Sequence, residues 1–384
     1  MRPASALIAL TLAATLLSTA PLRAQEAGEL IRKCAELASS SADNQRPEGM
    51  IGVSRDALDA AAAVPACEAA FAAAPEDAGT AFNLGRALSA KGEEADLPRM
   101  AQLYKQAADK GYVVGQINYG QANELGLGVP VDYPTAVTYY RQAAEAGHPV
   151  GQYNFALMLD AGRGIAQDYA AAAQWYERAV AQGDSTAMLN LGLLYDAGHG
   201  VPQDYAKARA LYEQSAELSE PGALTNLGWL IDRGLGGFAK DPVKANAYYR
   251  QAADAGDAQG MNNLGESLLI GEGITKDEAA GLALIQQAYG EGNDMAAHNF
   301  ATFYATGQHV TADPGKAASF YLEALVRNSD DAQIDLFDKA GADLPPDVLA
   351  AIYAEMAKRG MTVTPEAGKL SVAAITALKA TVQP

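Results

Sequence analysis

Through the middle of the chain, apolar residues fall at helical spacing, and that spacing restarts at a fixed interval. In the stretch 187–222, Ala187, Leu191, Leu194 and Tyr195 stand at i, i+4, i+7 and i+8, one face of a helix. Gly198 and Gly200 then interrupt it; glycine tolerates the positive φ found just past helix ends. Asp204 follows as an N-cap, its carboxylate placed to accept from free backbone N–H groups. From there Ala208, Leu211, Tyr212 and Ala216 mark the apolar face of a second helix. The unit is two helices and a loop in 36 residues.

The unit recurs. The capping aspartate returns as Asp96, Asp132, Asp168, Asp204, Asp241, Asp277 and Asp313, in steps of 36 with one of 37. An asparagine returns in the first helix as Asn83, Asn118, Asn154, Asn190, Asn226, Asn263 and Asn299, in steps of 35 to 37. The extra residue after Asn226 matches the additional glycine in Gly234-Leu235-Gly236-Gly237. Two columns agreeing over seven copies describe a repeat array, in which each helix pair buries its apolar face against its neighbours.

The residues that return are Leu191-Gly192, Gly198-x-Gly200-Val201, Asp204, Lys207-Ala208, Leu211-Tyr212 and Ser215-Ala216. Together they resemble the Sel-one-like repeat, a relative of the tetratricopeptide repeat. The third copy also carries the Trp175-Tyr176 pair of that pattern. The resemblance implies an all-α fold: a right-handed α-solenoid of antiparallel helix pairs with helical caps. Its seven repeats occupy 80–328. Outer copies depart from the pattern. The first lacks the G-x-G turn, the sixth has Gly281 for alanine, and the seventh has His309 for the second glycine.

The ends differ from the array. Residues 1–24 read as a secretory signal: Arg2, an apolar small-residue run to Ala20, then Leu22-Arg23-Ala24 before Gln25. Beyond it no run is long enough to span a bilayer, which places the protein in the periplasm or outside the cell. Residues 25–79 form an N-terminal helical cap holding Cys34 and Cys67, the two cysteines of the chain. In an exported chain two thiols point to a disulfide, the alternative being two buried free thiols. Residues 329–384 break the period and form a C-terminal helical cap, with Pro345-Pro346-Asp347 opening a helix that runs to Lys358. The spacing of Ile352, Met356, Gly360, Gly368, Ile375 and Leu378 resembles a helical peptidoglycan-binding-like module, with Tyr353 and Ala367 departing from it.

Charge narrows the partners. The chain carries 28 basic and 46 acidic residues, a net −18. That disfavours nucleic acid and anionic membrane surfaces, and either favours a basic protein or serves solubility alone. Catalytic chemistry is not evident. His148, His199, His298 and His309 lie far apart with no second ligand at metal spacing, and no cofactor motif is present. The G-x-G pairs precede an aspartate and lack a Walker lysine. No G-x-S-x-G or H-E-x-x-H occurs. The chain reads as a non-enzyme.

Three columns remain as candidates. The asparagine ladder reads as structural, satisfying backbone groups at a fixed junction, with a groove-lining amide row as the alternative. The acidic column Glu124, Asp160, Asp196 and Asp232 reads as solvated carboxylates near helix ends, or as a cation-binding stripe. The residue after Leu-Gly reads Arg86, Gln121, Leu157, Leu193, Trp229, Glu266 and Thr302, a variety no core position sustains. It faces solvent or a partner. The column one residue before the asparagine, Phe82, Ile117, Tyr153, Leu189, Thr225, Asn262 and His298, varies less freely. The expected function is an interaction scaffold or regulator of the bacterial cell envelope, with a protein or peptide partner on the concave face of first helices. The rival is an envelope structural protein that contacts peptidoglycan through 345–384.

Overall fold

A computed structural model describes residues 24–382 except 328, 340 and 367. The expected signal segment, apart from Ala24, lies outside the described residues. The described chain is all-α, with two isolated β-bridges and no strand. It divides into two compact units. One reaches to Ala187 and takes in His199–Pro202; the other holds Met188–Gly198 and the chain from Gln203 onward.

The first unit opens with α1 (24–38) and α2 (Ala60–Ala73), joined by the Cys34–Cys67 disulfide across 33 residues. The polar loop between them carries the Ser40–Val53 bridge. Repeat helices follow in pairs: α3 (Ala78–Lys91) with α4 (Leu97–Asp109), α5 (Val113–Leu125) with α6 (Tyr133–Glu145), and α7 (Pro149–Ala161) with α8 (Tyr169–Val180). Each packs on the next. Cys34, Ala38, Ala63, Cys67 and Ala70 share one core with Phe82, Leu84 and Tyr104, so the cap covers the first repeat.

The chain crosses into the second unit within α9 (Ser185–Ala197). There the pairs continue as α10 (Tyr205–Glu217), α11 (Pro221–Arg233), α12 (Pro242–Asp254), α13 (Ala258–Ile270), α14 (Glu278–Gly290), α15 (Asp294–Thr306) and α16 (Pro314–Val326). First helices α11, α13 and α15 also touch one another in sequence. A short helix, α17 (Asp330–Gln333), runs into a π turn, Ile334–Asp338. Then α18 (Pro346–Lys358) and α19 (Val372–Val382) close the end. Val348, Ile352, Met356, Leu370 and Leu378 are buried against Leu322 and Leu325 of α16.

The local signals behave as their chemistry requires. The side chains of Asp132, Asp168, Asp204, Asp241, Asp277 and Asp313 accept from backbone N–H groups at the start of their helices. Asp96 does not. In the first copy a 3₁₀ turn (Glu94–Asp96) replaces the G-x-G loop and puts Asp96 at φ −88°, ψ −14°, outside the extended geometry of a cap. Its carboxylate takes Lys91 Nζ at 2.9 Å instead.

Candidate functional site

The Leu-Gly column and the column after it separate cleanly. At all seven copies the pair is buried: Leu84-Gly85, Tyr119-Gly120, Phe155-Ala156, Leu191-Gly192, Leu227-Gly228, Leu264-Gly265 and Phe300-Ala301. At Gly85, Gly120, Gly192 and Gly228 the reason is a tyrosine ring from the second helix, and at Gly265 it is the Ile285 side chain. A Cβ built on Gly192 would stand 2.5 Å from Tyr212 Cε1, and one on Gly120 would stand 2.6 Å from Tyr140 Cε1. The next residue is never buried. Gln121 and Leu193 are exposed; Arg86, Leu157, Trp229, Glu266 and Thr302 are half-buried. The column one residue before the asparagine is more enclosed, with Phe82, Ile117, Thr225 and Asn262 buried and Tyr153 half-buried beside the Tyr176 ring.

Hollows gather some of these residues: one in the first unit and two in the second, of which one of about 280 Å³ is lined by Thr302 and His298. In the second unit a hollow of about 290 Å³ brings Trp229 and Glu266 together with Asp232, Arg233, Asn263 and Glu272. Trp229 also packs on the apolar cluster of Leu227 and Leu230, 6.4 Å from the Tyr205 ring, so part of the indole is core and part is wall. In the first unit a hollow of about 330 Å³ is lined by Arg86, Gln121 and Asn118. Arg86 is not a free anchor there. Its guanidinium donates to Ala38 O at 2.8 Å and Val53 O at 2.7 Å, tying the cap loop to α3. Leu157 and Leu193 line none of these hollows.

The Sel1 repeat model matches seven consecutive segments, 80–112, 113–148, 149–184, 185–220, 221–257, 258–293 and 294–325. The chain belongs to the Sel1 repeat family. Among the solved structures that resemble it are two at 28% identity. One is c5321, a protective antigen present in uropathogenic Escherichia coli strains and displaying this fold. It is 28% identical with a TM-score of 0.52, over 77% of this chain and 64% of that one. The other is a Sel1 repeat protein from Oxalobacter formigenes, 28% identical with a TM-score of 0.52, over 60% of this chain and 94% of that one. This chain thus spans somewhat under two thirds of the antigen's length. No curated protein is matched. Sel1 repeats generally mediate protein–protein interaction, and their fold is typically a non-catalytic scaffold.

Within the Sel1 frame the acidic column has a role that its sequence position hides. Three of its four carboxylates, Glu124, Asp160 and Asp196, are half-buried and hold a tyrosine hydroxyl, while Asp232 lies beside Arg233 at 3.9 Å. Tyr140 OH donates to Glu124 at 2.7 Å, Tyr176 OH to Asp160 at 3.1 Å and Tyr212 OH to Asp196 at 3.3 Å. These carboxylates receive the one polar atom of each buried ring. Burial raises Asp160 and Asp196 above the ordinary carboxylate range and carries Tyr176 and Tyr212 well above the usual phenol range.

The asparagine ladder has mixed partners. Asn118 and Asn226 donate to the carbonyls of Val114 and Gly222, four residues back on their own helices. Asn263 accepts from Gln259, while Asn299 donates to the side chains of Asn262 and Glu266. Asn154 and Asn190 are half-buried, and Asn83 is buried with its Oδ1 unpartnered. Sequence reasoning missed two residues of the first hollow, Arg55 and His148. They reach it from a loop and a helix start 93 residues apart, a juxtaposition that no local pattern encodes.

Proposed function

We propose that this Sel1 repeat protein is a non-enzymatic scaffold of the bacterial cell envelope that holds a protein partner on its first-helix face. The supporting observation is the buried Leu-Gly frame beside a half-exposed column that takes six residue types over seven copies. A fixed frame with variable contacts is how a repeat surface discriminates among partners. Trp229 is the anchor of this surface, since a half-covered indole gains most from a partner that completes its burial. Around it Asp232, Glu266 and Glu272 outnumber Arg233, so the complementary element is an apolar residue flanked by a basic one. The Cys34–Cys67 disulfide suits an oxidising compartment, and no described helix is long and apolar enough to cross a membrane.

The test is capture from envelope extract by the purified protein, by Trp229→Ala and by a chain lacking 345–384, with purified sacculi as a separate bait. The reading expects a partner that Trp229→Ala loses at least tenfold, with its melting temperature held within a few degrees. A Trp229→Ala protein that binds normally overturns the assigned face. Retention on sacculi that vanishes with 345–384 overturns the scaffold in favour of the peptidoglycan reading.

A further inference from the structure

The hollow of the first unit has chemistry opposite to that of the chain. The protein is acidic throughout, 46 acidic residues against 28 basic, yet no aspartate or glutamate lines this hollow. Arg55 and Arg86 do, together with His148. The nearest carboxylate felt by Arg86 is Asp43, and its oxygens are occupied. Oδ1 accepts from the Gln45 N–H at 2.9 Å and Oδ2 from Tyr112 OH at 2.5 Å. The two bonds from Arg86 to Ala38 and Val53 fix its guanidinium while using two of its five N–H groups. Arg55 is exposed and forms no ion pair among the described residues.

His148 supplies the second kind of group. It is 5% exposed, and its Nε2 lies 3.0 Å from Ala42 O. A carbonyl can only accept, so Nε2 carries the hydrogen, and in that tautomer Nδ1 holds a lone pair. That Nδ1 is buried without a partner. A buried acceptor left unpaired is costly, and a ligand N–H that meets it gains what the apo protein lacks. The floor is apolar: Phe82, Met100, Tyr104 and Ile117.

Two fixed or nearby cations, one waiting acceptor and an apolar floor match three features of a single object. The last residue of a peptide chain carries a carboxylate, an amide N–H and a side chain. We propose that this hollow binds the C-terminus of a peptide ending in an apolar residue, with the carboxylate at Arg55 and Arg86 and the amide N–H toward His148 Nδ1. Its volume of about 330 Å³ suits one or two residues, at the small end of ligand sites. The site rests on the first unit alone and does not depend on the role given to Trp229.

Calorimetry of the purified protein at low salt decides it, with three probes: acetyl-Ala-Leu-Phe as the free acid, the same peptide as its C-terminal amide, and octanoate. The free acid is expected to bind, the amide at least tenfold more weakly, and octanoate more weakly than the free acid because it has no N–H. Arg55→Glu lies on the exposed rim, so the fold is retained, and the free acid should lose at least tenfold in affinity. Absence of binding by the free acid, equal binding of acid and amide, or an unaltered Arg55→Glu affinity overturns the proposal. Octanoate that binds as tightly as the peptide overturns the peptide assignment and makes the hollow a site for small organic acids.

Discussion

At the scale of single residues, two polar side chains hold parts of the fold that composition would assign to solvent. Arg86 joins α3 to the cap through two carbonyls, and charge-assisted bonds of this kind contribute about 1.5–3 kcal/mol. Arg86→Ala is expected to cost about 2–3 kcal/mol in a denaturant titration, with the loss concentrated in the first unit. Asp196 shows the opposite balance. Burial raises its folded pKa, so the folded state prefers the protonated acid. Its contribution is full below the unfolded value near 3.9, and it is lost as pH rises through the raised folded value. Asparagine keeps an acceptor for Tyr212 OH and carries no charge. Asp196→Asn should therefore melt about 1–2 °C higher than the parent at pH 7, solvent screening keeping the gain small, and show no gain near pH 3. A gain that is equal at both pH values would assign the effect to packing.

At the scale of the element, the loop between paired helices decides which repeats tolerate change. The second glycine of the turn has positive φ and presses on the preceding repeat. At Gly164 φ is +68°, and an added Cβ would stand 2.4 Å from the backbone carbon of Tyr133. Gly164→Ala thus meets both strain and a backbone clash, and should cost about 2–4 kcal/mol. The seventh turn places His309 at φ 63°, with Nδ1 2.6 Å from Glu278 Oε1. A left-handed residue with a Cβ pays roughly 1–2 kcal/mol, and an exposed pair returns less than that. His309→Gly should accordingly stabilise by about 0.5–1 kcal/mol, read as a higher urea midpoint at unchanged slope. The first turn is different in kind, since its 3₁₀ segment removes both the glycines and the working cap.

At the scale of the whole molecule, stability rests on covered ends. The array can bury its outer faces only if something other than a repeat meets them, and the disulfide-bonded α1–α2 pair and the α18–α19 pair do so. Reducing Cys34–Cys67, which closes a loop of 33 residues, should lower stability by roughly 3–4 kcal/mol. Hydrogen exchange should then rise first in α1 to α4; uniform loss across both units would refute a local cap. What the amino-acid sequence determined by itself is what is periodic and local: the helix pairs and their caps at Asp132 to Asp313. Each of these follows from spacing within one helix or one turn, so it is written locally. What the tertiary structure decided is which side chains meet across that spacing. Glu124, Asp160 and Asp196 became acceptors for buried tyrosines, Arg86 became a tie to the cap, and Arg55 came to share a hollow with His148. Those meetings depend on how one helix pair is set against the next and on the path of an aperiodic loop, where free energy is shared among distant residues and leaves no local pattern.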